Sequence, residues 1–199
     1  MNTPNEQRRS ERSRQAILDA ALDLCRERGL ARTTVEEIAK RAGVGKQTIY
    51  RWWGSKAAVV EEALNERVIT TTDFPDTGDL RADLRTQMAI IAQAFDSVEF
   101  APYASLIAAA QDDPEVAESV RKNMIEPRVH ACEERLRRGQ EQGQLRTDVD
   151  VAEVVEFLYA PLYYRLLLRT RPVTLEQVDH VLDAAFRGVA PVRDDGSPR

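Results

Sequence analysis

Apolar residues recur at every third or fourth position along most of this chain, the spacing that puts them on one face of an α-helix. The first such stripe is formed by Ala16, Ile17, Ala20, Ala21 and Leu24. The sequence contains no stretch with the apolar–polar alternation that is typical of a half-buried β-strand. The pattern therefore predicts an all-α protein of about nine helices.

Helix-boundary signals are dense in the first sixty residues. The second predicted helix begins in the segment TTVEEIAKRAG, where Thr33 or Thr34 can cap its free amides. Glu36 or Glu37, three residues later, can complete a capping box. Gly43 stands where a helix ends by turning left-handed, so a third, short helix can set off at a steep angle. This arrangement predicts a helix-turn-helix, with the third helix as the probe.

The third predicted helix lies in the segment VGKQTIYRWWGSK, at residues 44–56. It brings together donors and an aromatic side chain at Lys46, Gln47, Thr48, Tyr50 and Arg51. Such side chains suit phosphate oxygens and base edges. The segment is therefore interpreted as a DNA-reading element.

Capping residues and first-turn prolines mark six further helices. They begin at about Lys56, Leu80, Pro102, Pro114, Asp150 and Thr174, and the first and last of them end at about Thr70 and Gly188. Pro127 falls inside the seventh helix of the chain, so we expect it to kink or split that helix.

The last two predicted helices are unusually apolar for surface elements. The eighth is apolar around most of its circumference, and the ninth carries one stripe that includes Val178, Leu182 and Phe186. Helices of this kind, at about 151–170 and 174–188, can pack against their twofold mates as a four-helix interface. The alternative is that both are core helices of a monomer.

Charge is distributed unevenly along the chain. Residues 1–56 hold 12 Lys and Arg against 7 Asp and Glu, whereas residues 57–199 hold 16 against 26. A basic N-terminal part can approach phosphates while an acidic remainder is repelled by them, and the alternative is a chance asymmetry of solvated faces.

Targeting and cysteine signals indicate a reduced compartment. Cys25 and Cys132 lie far apart on helical segments, which argues against a disulfide framework and leaves a redox-sensor role as a minor alternative. The sequence shows no apolar run like that of a signal peptide or a membrane span. We expect a cytoplasmic protein with no membrane partner and no cofactor.

The segment TTVEEIAKRAGVGKQTIYRWWGSKAAV resembles the DNA-binding region of the TetR family of bacterial transcriptional regulators. The resemblance covers roughly residues 12–64, and a looser likeness to actinobacterial-type C-terminal domains lies around EFAPYASLIAAAQDDPE and YAPLYYRLLLR. Gly45 stands where the family more often has serine or threonine, and Trp52 and Trp53 replace the usual histidine and phenylalanine. Four segments are expected. The ends of the chain are expected to be a flexible basic arm (1–9) and a disordered tail (190–199), and between them the resemblance implies a helix-turn-helix domain (10–56) and an effector-binding and dimerisation domain (57–189).

The expected DNA contacts fall into two groups. Lys46, Gln47 and Thr48 are assigned to base edges or adjacent phosphates, because they lie at the exposed N-terminal end of the probe. The phosphate group consists of Thr34, Tyr50, Trp52 and Lys56, with Arg8, Arg9, Arg12 and Arg14 reaching the flanking backbone or minor groove. Ile49 and Trp53 are expected in the core, and packing is the alternative role of Tyr50 and Trp52. Two probes related by a twofold axis require a near-palindromic operator.

The resemblance also implies a ligand cavity in the C-terminal domain. The residues expected to line it are Phe74, Met88, Phe95, Tyr103, Met124, Tyr159 and Tyr163, because apolar walls with a few hydroxyls suit small molecules. The alternative for each is ordinary core packing. The resulting hypothesis is a homodimeric repressor that a small-molecule effector releases from DNA.

Two other function classes stay open. An all-helical enzyme is disfavoured because His130 and His180, the two histidines of the chain, lie fifty residues apart without metal-ligand spacing. A helical protein-interaction module whose head no longer binds DNA is left room by Gly45 and Trp52.

Overall fold

A computed structural model describes residues 4–67 and 74–189 of the chain, and helices account for nearly all of the regular structure there. Within these ranges the protein contains no strand, and the all-α prediction is confirmed. The helices are α1 (Pro4–Arg28), α2 (Val35–Ala42), α3 (Lys46–Trp52), α4 (Lys56–Arg67), α5 (Leu80–Asp96), α6 (Ala101–Ala110), α7 (Pro114–Val120), α8 (Glu126–Glu141), α9 (Val151–Leu168) and α10 (Leu175–Val189).

The predicted seventh helix is interrupted near Pro127, as expected. It consists of α7, a π-helical turn over Arg121–Ile125, and α8. Proline lacks the N–H that the preceding turn needs, and a wider turn accommodates the break without ending the helix. Counting these three pieces as one element gives the nine helices predicted from the sequence over the described ranges.

The boundaries of α2 follow the sequence signals. Of the alternatives, Thr34 and Glu37 form the capping box: the Thr34 side chain accepts from the Glu37 amide, and the Glu37 carboxylate accepts from the Thr34 amide. Gly43 ends the helix with φ 67°, a conformation that costs other residues free energy. The turn leading to α3 is therefore encoded locally.

Helices α1–α4, α6 and α7 form one compact unit. Helix α1 packs against α2, α4 and α6, and α4 also contacts α6 and α7. The core is made of aliphatic side chains that include Ile17, Leu22, Ile38 and Leu64. Because α1 and α2 bury their apolar faces together, the short α3 rests on a rigid base.

Helices α5, α8, α9 and α10 form the second compact unit. Helix α10 packs against α5 and α9, and α8 packs against α9. A buried ion pair joins α5 to α8: Arg135 donates from Nε and Nη2 to Asp83 Oδ2 at 2.9 and 2.7 Å. Helix α9 continues through Pro161, whose carbonyl accepts from Gln177 Nε2 at 2.8 Å.

Several predictions concern residues at the limits of the described ranges. Helix α1 begins at Pro4, inside the segment 1–9 predicted as a flexible arm, while residues 1–3 and the predicted tail 190–199 lie outside the described residues. The predicted end of α4 at Thr70 lies outside them too. The boundary between DNA-binding and effector domains at residues 56 and 57 stays a prediction. None of the helices that the structure describes is long and apolar enough to cross a membrane.

Candidate functional site

Helix α3 is presented by a tight corner. The Val44 amide donates to the Ala39 carbonyl at 3.0 Å, which closes the turn after Gly43. Gly45 is the N-cap of α3 and offers no side-chain hydrogen bond, as its identity predicts. The C-terminal end is held instead by the Trp53 amide, which donates to the Ile49 carbonyl at 2.8 Å.

The two faces of α3 separate cleanly. Ile49 and Trp53 are buried, which confirms their predicted place in the core. Lys46, Gln47 and Tyr50 are exposed, and so is Arg51; Thr48 and Trp52 are partly exposed. The side chains assigned to bases thus lie at one end of the exposed face, where a groove of DNA can reach them.

Lys46 has an acidic neighbour on α2. Its Nζ lies 3.7 Å from Oε1 of Glu36, and both side chains are more than half exposed. An exposed pair of this kind is weakly held. The ammonium can therefore leave Glu36 for a phosphate or a base, and the predicted contact stays a prediction.

Trp53 is fixed by a network that reaches three helices. Its Nε1 donates to Glu62 Oε2 on α4 at 2.7 Å, and Arg14 of α1 donates to both Glu62 and Glu66. These charge-assisted bonds raise the pKa of Arg14, with Glu66 contributing most. The tryptophan that departs from the family pattern thus supplies the N–H that ties the end of α3 to α4.

Lys56 binds the backbone of the loop between α1 and α2. Its ammonium donates to the carbonyls of Leu30, Ala31 and Thr33 at 2.8, 3.2 and 2.8 Å. Those three bonds match the three donors of an ammonium group, so a phosphate contact requires Lys56 to give up at least one of them. The predicted phosphate contact stays a prediction. In the structure Lys56 stabilises the loop between α1 and α2, a role that the sequence did not indicate.

Thr34 is likewise engaged in its own helix start. Its hydroxyl lies 2.9 Å from Glu37 Oε2, and the hydrogen bonds from Thr34 and Arg28 lower the pKa of Glu37 despite some desolvation. A DNA phosphate at this point would compete with the Glu37 carboxylate for the hydroxyl. The contact predicted for Thr34 stays a prediction.

Both cysteines are buried free thiols. Burial raises the pKa of Cys25 to about 11 and that of Cys132 to about 12, against the opposing effects of Ser105 and Tyr159 respectively. Because the thiolate is the reactive form, neither residue has the exposed, low-pKa setting of a redox sensor.

A cavity of about 390 Å³ lies between α5, α8 and α9 in the second unit. Of the residues predicted to line a ligand site, Phe74, Tyr159 and Tyr163 form part of its wall. Burial and the neighbouring Cys132 raise the pKa of Tyr159, so its phenol stays neutral. Sequence reasoning missed Gln87, whose signal was a polar residue on the apolar face of α5.

The remaining predicted lining residues lie elsewhere. Met88 is fully buried in the second unit, and Phe95 packs edge-on against Tyr163 with ring centroids 5.2 Å apart. Tyr103 and Met124 are buried in the first unit, where Tyr103 packs on Phe100. The structure does not bring these four around the cavity.

Helix α9 has two apolar faces. Val154, Leu158 and Leu162 point into the unit and are buried. The outer face carries Phe157, Tyr164 and Leu168, which are 54, 57 and 61% exposed. Two open grooves run along α9 and α10 beside these residues. A row of exposed large apolar side chains at helical spacing is typical of a contact surface.

Two family models match the chain. Residues 17–63 match the model described as bacterial regulatory proteins, tetR family, and residues 74–185 match the tetracyclin repressor-like C-terminal domain. The first match contains α2 and α3, and the second contains the cavity and the outer face of α9.

Individual proteins show the same similarity. The chain is 36% identical to the uncharacterized HTH-type transcriptional regulator YdeS of Bacillus subtilis (strain 168), over 91% of each chain. It is 29% identical to the DNA-binding transcriptional repressor TetR of Mycobacteroides abscessus, over 80% of this chain and 85% of that one.

Solved structures agree. The TetR family transcription regulator SCO0332 matches with a TM-score of 0.73 and 36% identity, over 90% of this chain and 99% of that one. SmeT in complex with triclosan matches with a TM-score of 0.67 and 25% identity, over 90% and 92%.

Proposed function

Since this chain belongs to the TetR family of bacterial transcriptional regulators and carries the DNA-binding helix-turn-helix of that family, we propose that it is a homodimeric repressor released from its operator by a small-molecule effector. The family consists of transcriptional regulators, which argues against the enzyme alternative. Action on DNA implies that the protein works inside the cell.

The observation that carries the DNA-binding proposal is the division of α3 into a buried and an exposed face. Ile49 and Trp53 fix the helix, while Lys46, Gln47 and Thr48 lie at its exposed N-terminal end. We assign these three residues to base edges and adjacent phosphates in the major groove.

The phosphate contacts of the proposal surround this end. Tyr50 is exposed and Trp52 partly exposed, and their O–H and N–H groups are suitable donors for phosphate oxygens. Thr34 and Lys56 contribute if they exchange their present partners, Glu37 and the loop carbonyls, for phosphate oxygens. The excess of basic residues in 1–56 supports the approach of this part of the chain to DNA.

Dimerisation is supported by the outer face of α9. Phe157, Tyr164 and Leu168 form a stripe that a second copy can cover, with α10 alongside. A twofold pair presents two copies of α3, and the operator is then a near-palindrome read in successive major grooves.

Effector control is supported by the cavity between α5, α8 and α9. Its volume of about 390 Å³ falls within the range of small-molecule sites, roughly 300–1,000 Å³. The SmeT structure, a relative in fold, contains triclosan. An effector releases the protein only if it binds the DNA-incompetent form more tightly. Repression is supported by the name of the Mycobacteroides abscessus relative.

Fluorescence anisotropy tests the proposal with the DNA upstream of the protein's own gene. We expect salt-sensitive binding to one near-palindromic site. Gln47→Ala should reduce discrimination at particular base pairs by about 1–3 kcal/mol, because a bidentate base contact is lost. The matched control is Gln93→Ala, an exposed glutamine on α5, which should leave the preference unchanged. Salt-sensitive binding that ignores sequence, or equal effects of the two variants, would refute the assignment.

A further inference from the structure

A buried amide without a partner forms part of the cavity wall. Gln87 is only 3% exposed, and its Oε1 makes no hydrogen bond within the described parts of the chain. An unsatisfied polar atom in a protein interior costs free energy, and such groups are rare in native folds. A polar group of a bound molecule could therefore supply the hydrogen bond that Gln87 Oε1 lacks.

The rest of the wall is mainly apolar. Phe74, Ile91 and Val155 contribute hydrocarbon surface, and Tyr163 adds an aromatic ring. A molecule that fills this space gains by burying apolar surface, and aromatic rings can pack edge-on or offset against Phe74 and Tyr163. A mainly apolar wall in which Gln87 has the unsatisfied polar atom suits a ligand that is largely hydrocarbon with one hydrogen-bonding group.

The charged residues of the wall balance each other. Arg128 and Glu156 both line the cavity and carry opposite formal charges. A ligand with a net charge would gain from one of them and be repelled by the other, and it would also lose hydration on entering. The wall therefore favours a neutral ligand.

Gln87 is held by the turn before it. Asp83, four residues earlier on α5, accepts from Arg135 and from the hydroxyl and amide of Thr77. Arg135 also donates to the Pro75 carbonyl at 3.3 Å, next to Phe74 in the wall. The same buried ion pair thus fixes the helix that carries Gln87 and the loop beside Phe74, which keeps the cavity preorganised.

We propose that this cavity binds a compact, neutral, largely aromatic molecule whose single hydrogen-bonding group pairs with the Gln87 amide. The proposal rests on the effector role argued above and specifies the chemical class of the effector. Because an amide both donates and accepts, a hydroxyl satisfies it in either orientation.

Three probes of similar size test this chemistry on the full-length protein by calorimetry: biphenyl, 4-phenylphenol and biphenyl-4-carboxylate. We expect 4-phenylphenol to bind about tenfold more tightly than biphenyl, since only the phenol pairs with Gln87. Gln87→Leu, with Gln87→Met as a second variant, should abolish this preference while biphenyl still binds. Gln93→Leu, an exposed site on the same helix, should keep the preference. Ile91→Trp, which fills the cavity, should weaken all binding.

The outcomes separate the ligand class from the regulatory role. Equal affinity of biphenyl and 4-phenylphenol, or tightest binding of the carboxylate, would overturn the proposed class. Absence of binding, or binding that Ile91→Trp leaves intact, would overturn the site. Operator binding is measured in parallel: Gln87-dependent binding of 4-phenylphenol that leaves operator affinity unchanged would support the site and contradict effector control. If the natural protein did not bind operator DNA even in the absence of any probe, that result would contradict the DNA-binding proposal alone.

Discussion

Asp83 and Arg135 show how a single buried residue pair can organise the second unit. Their side chains are 1 and 0% exposed, and the Thr77 hydroxyl donates to Asp83 at 2.7 Å. Burial opposes ionisation of Asp83, but the bonds from Thr77 and Arg135 outweigh it, so the pKa of Asp83 lies below its ordinary value. Arg135 Nη1 has no hydrogen-bond partner among the described residues, and the second carboxylate near the guanidinium, Asp76, lies 3.7 Å from Nη2, so Asp83 is its main counter-charge.

Replacing Asp83 tests that dependence. Asp83→Asn keeps the shape but leaves the buried guanidinium with only the partly exposed Asp76, 3.7 Å from Nη2, as its counter-charge. The variant should lower the free energy of unfolding by about 3 kcal/mol in urea denaturation. The matched control is Asp179→Asn, which breaks an exposed pair with Arg85. The control should change stability little, and a similar loss in both variants would contradict the role given to burial.

The same pair should make stability depend on pH. Because the pKa of folded Asp83 is lower than that of the unfolded chain, the pair stabilises the protein fully above the unfolded value, about 3.9. That contribution is lost as pH falls through the lowered folded pKa. The difference in stability between the natural chain and Asp83→Asn should therefore narrow below about pH 4. A difference that stays constant into acid would show that Asp83 is not charged in the fold.

At the scale of elements, local sequence signals predicted the helix boundaries, whereas contacts between residues distant in the sequence were not predicted. The capping-box partners Thr34 and Glu37 lie three positions apart, so their sequence spacing is enough to locate the start of α2. The acceptor of Trp53, Glu62, comes from another helix, and no spacing within α3 points to it. The hydrogen bonds from Lys56 to the loop carbonyls were not predicted either, because a backbone acceptor has no sequence signature.

The cavity shows the same limit. Tyr159 and Tyr163 were expected to line a ligand site, but Met88 has the same helical spacing in the sequence and lies in the core. Whether an apolar side chain borders a void depends on the packing of α5, α8 and α9 together. The amphipathic pattern gives the buried face of each helix, and the void between faces follows only from their mutual fit.

Glu62 should position α3 through Trp53. Glu62→Ala leaves the buried indole N–H without an acceptor, which should cost about 1–3 kcal/mol of stability and lower operator affinity because the end of α3 loosens. Glu66→Ala is the matched control, since Glu66 also accepts from Arg14 but does not contact Trp53. Anisotropy with operator DNA and tryptophan emission measure both effects, and only Glu62→Ala should shift the emission. If Glu62→Ala and Glu66→Ala gave the same operator affinity and emission, we would conclude that packing alone holds Trp53.

At the scale of the whole molecule, charge and apolar surface point to different partners. The basic excess of residues 1–56 attracts a polyanion, while the acidic excess of residues 57–199 discourages the remainder from binding the same polyanion nonspecifically. The outer face of α9 is apolar, and a second copy of the chain offers it a complementary surface. The proposed function requires both surfaces, because one copy of α3 contacts too few base pairs for selectivity.

Tyr164→Glu tests whether the α9 face joins two copies. A carboxylate placed on each side of a twofold interface meets its like-charged mate in an apolar setting, so the variant should sediment as a monomer. Operator affinity should then fall, because each half-site must be bound separately. Ile90→Glu is the control, an equally large change at a residue 44% exposed on α5, and it should leave both sedimentation and DNA binding unchanged. A Tyr164→Glu variant that still sediments as a dimer would mean that another surface joins the two copies.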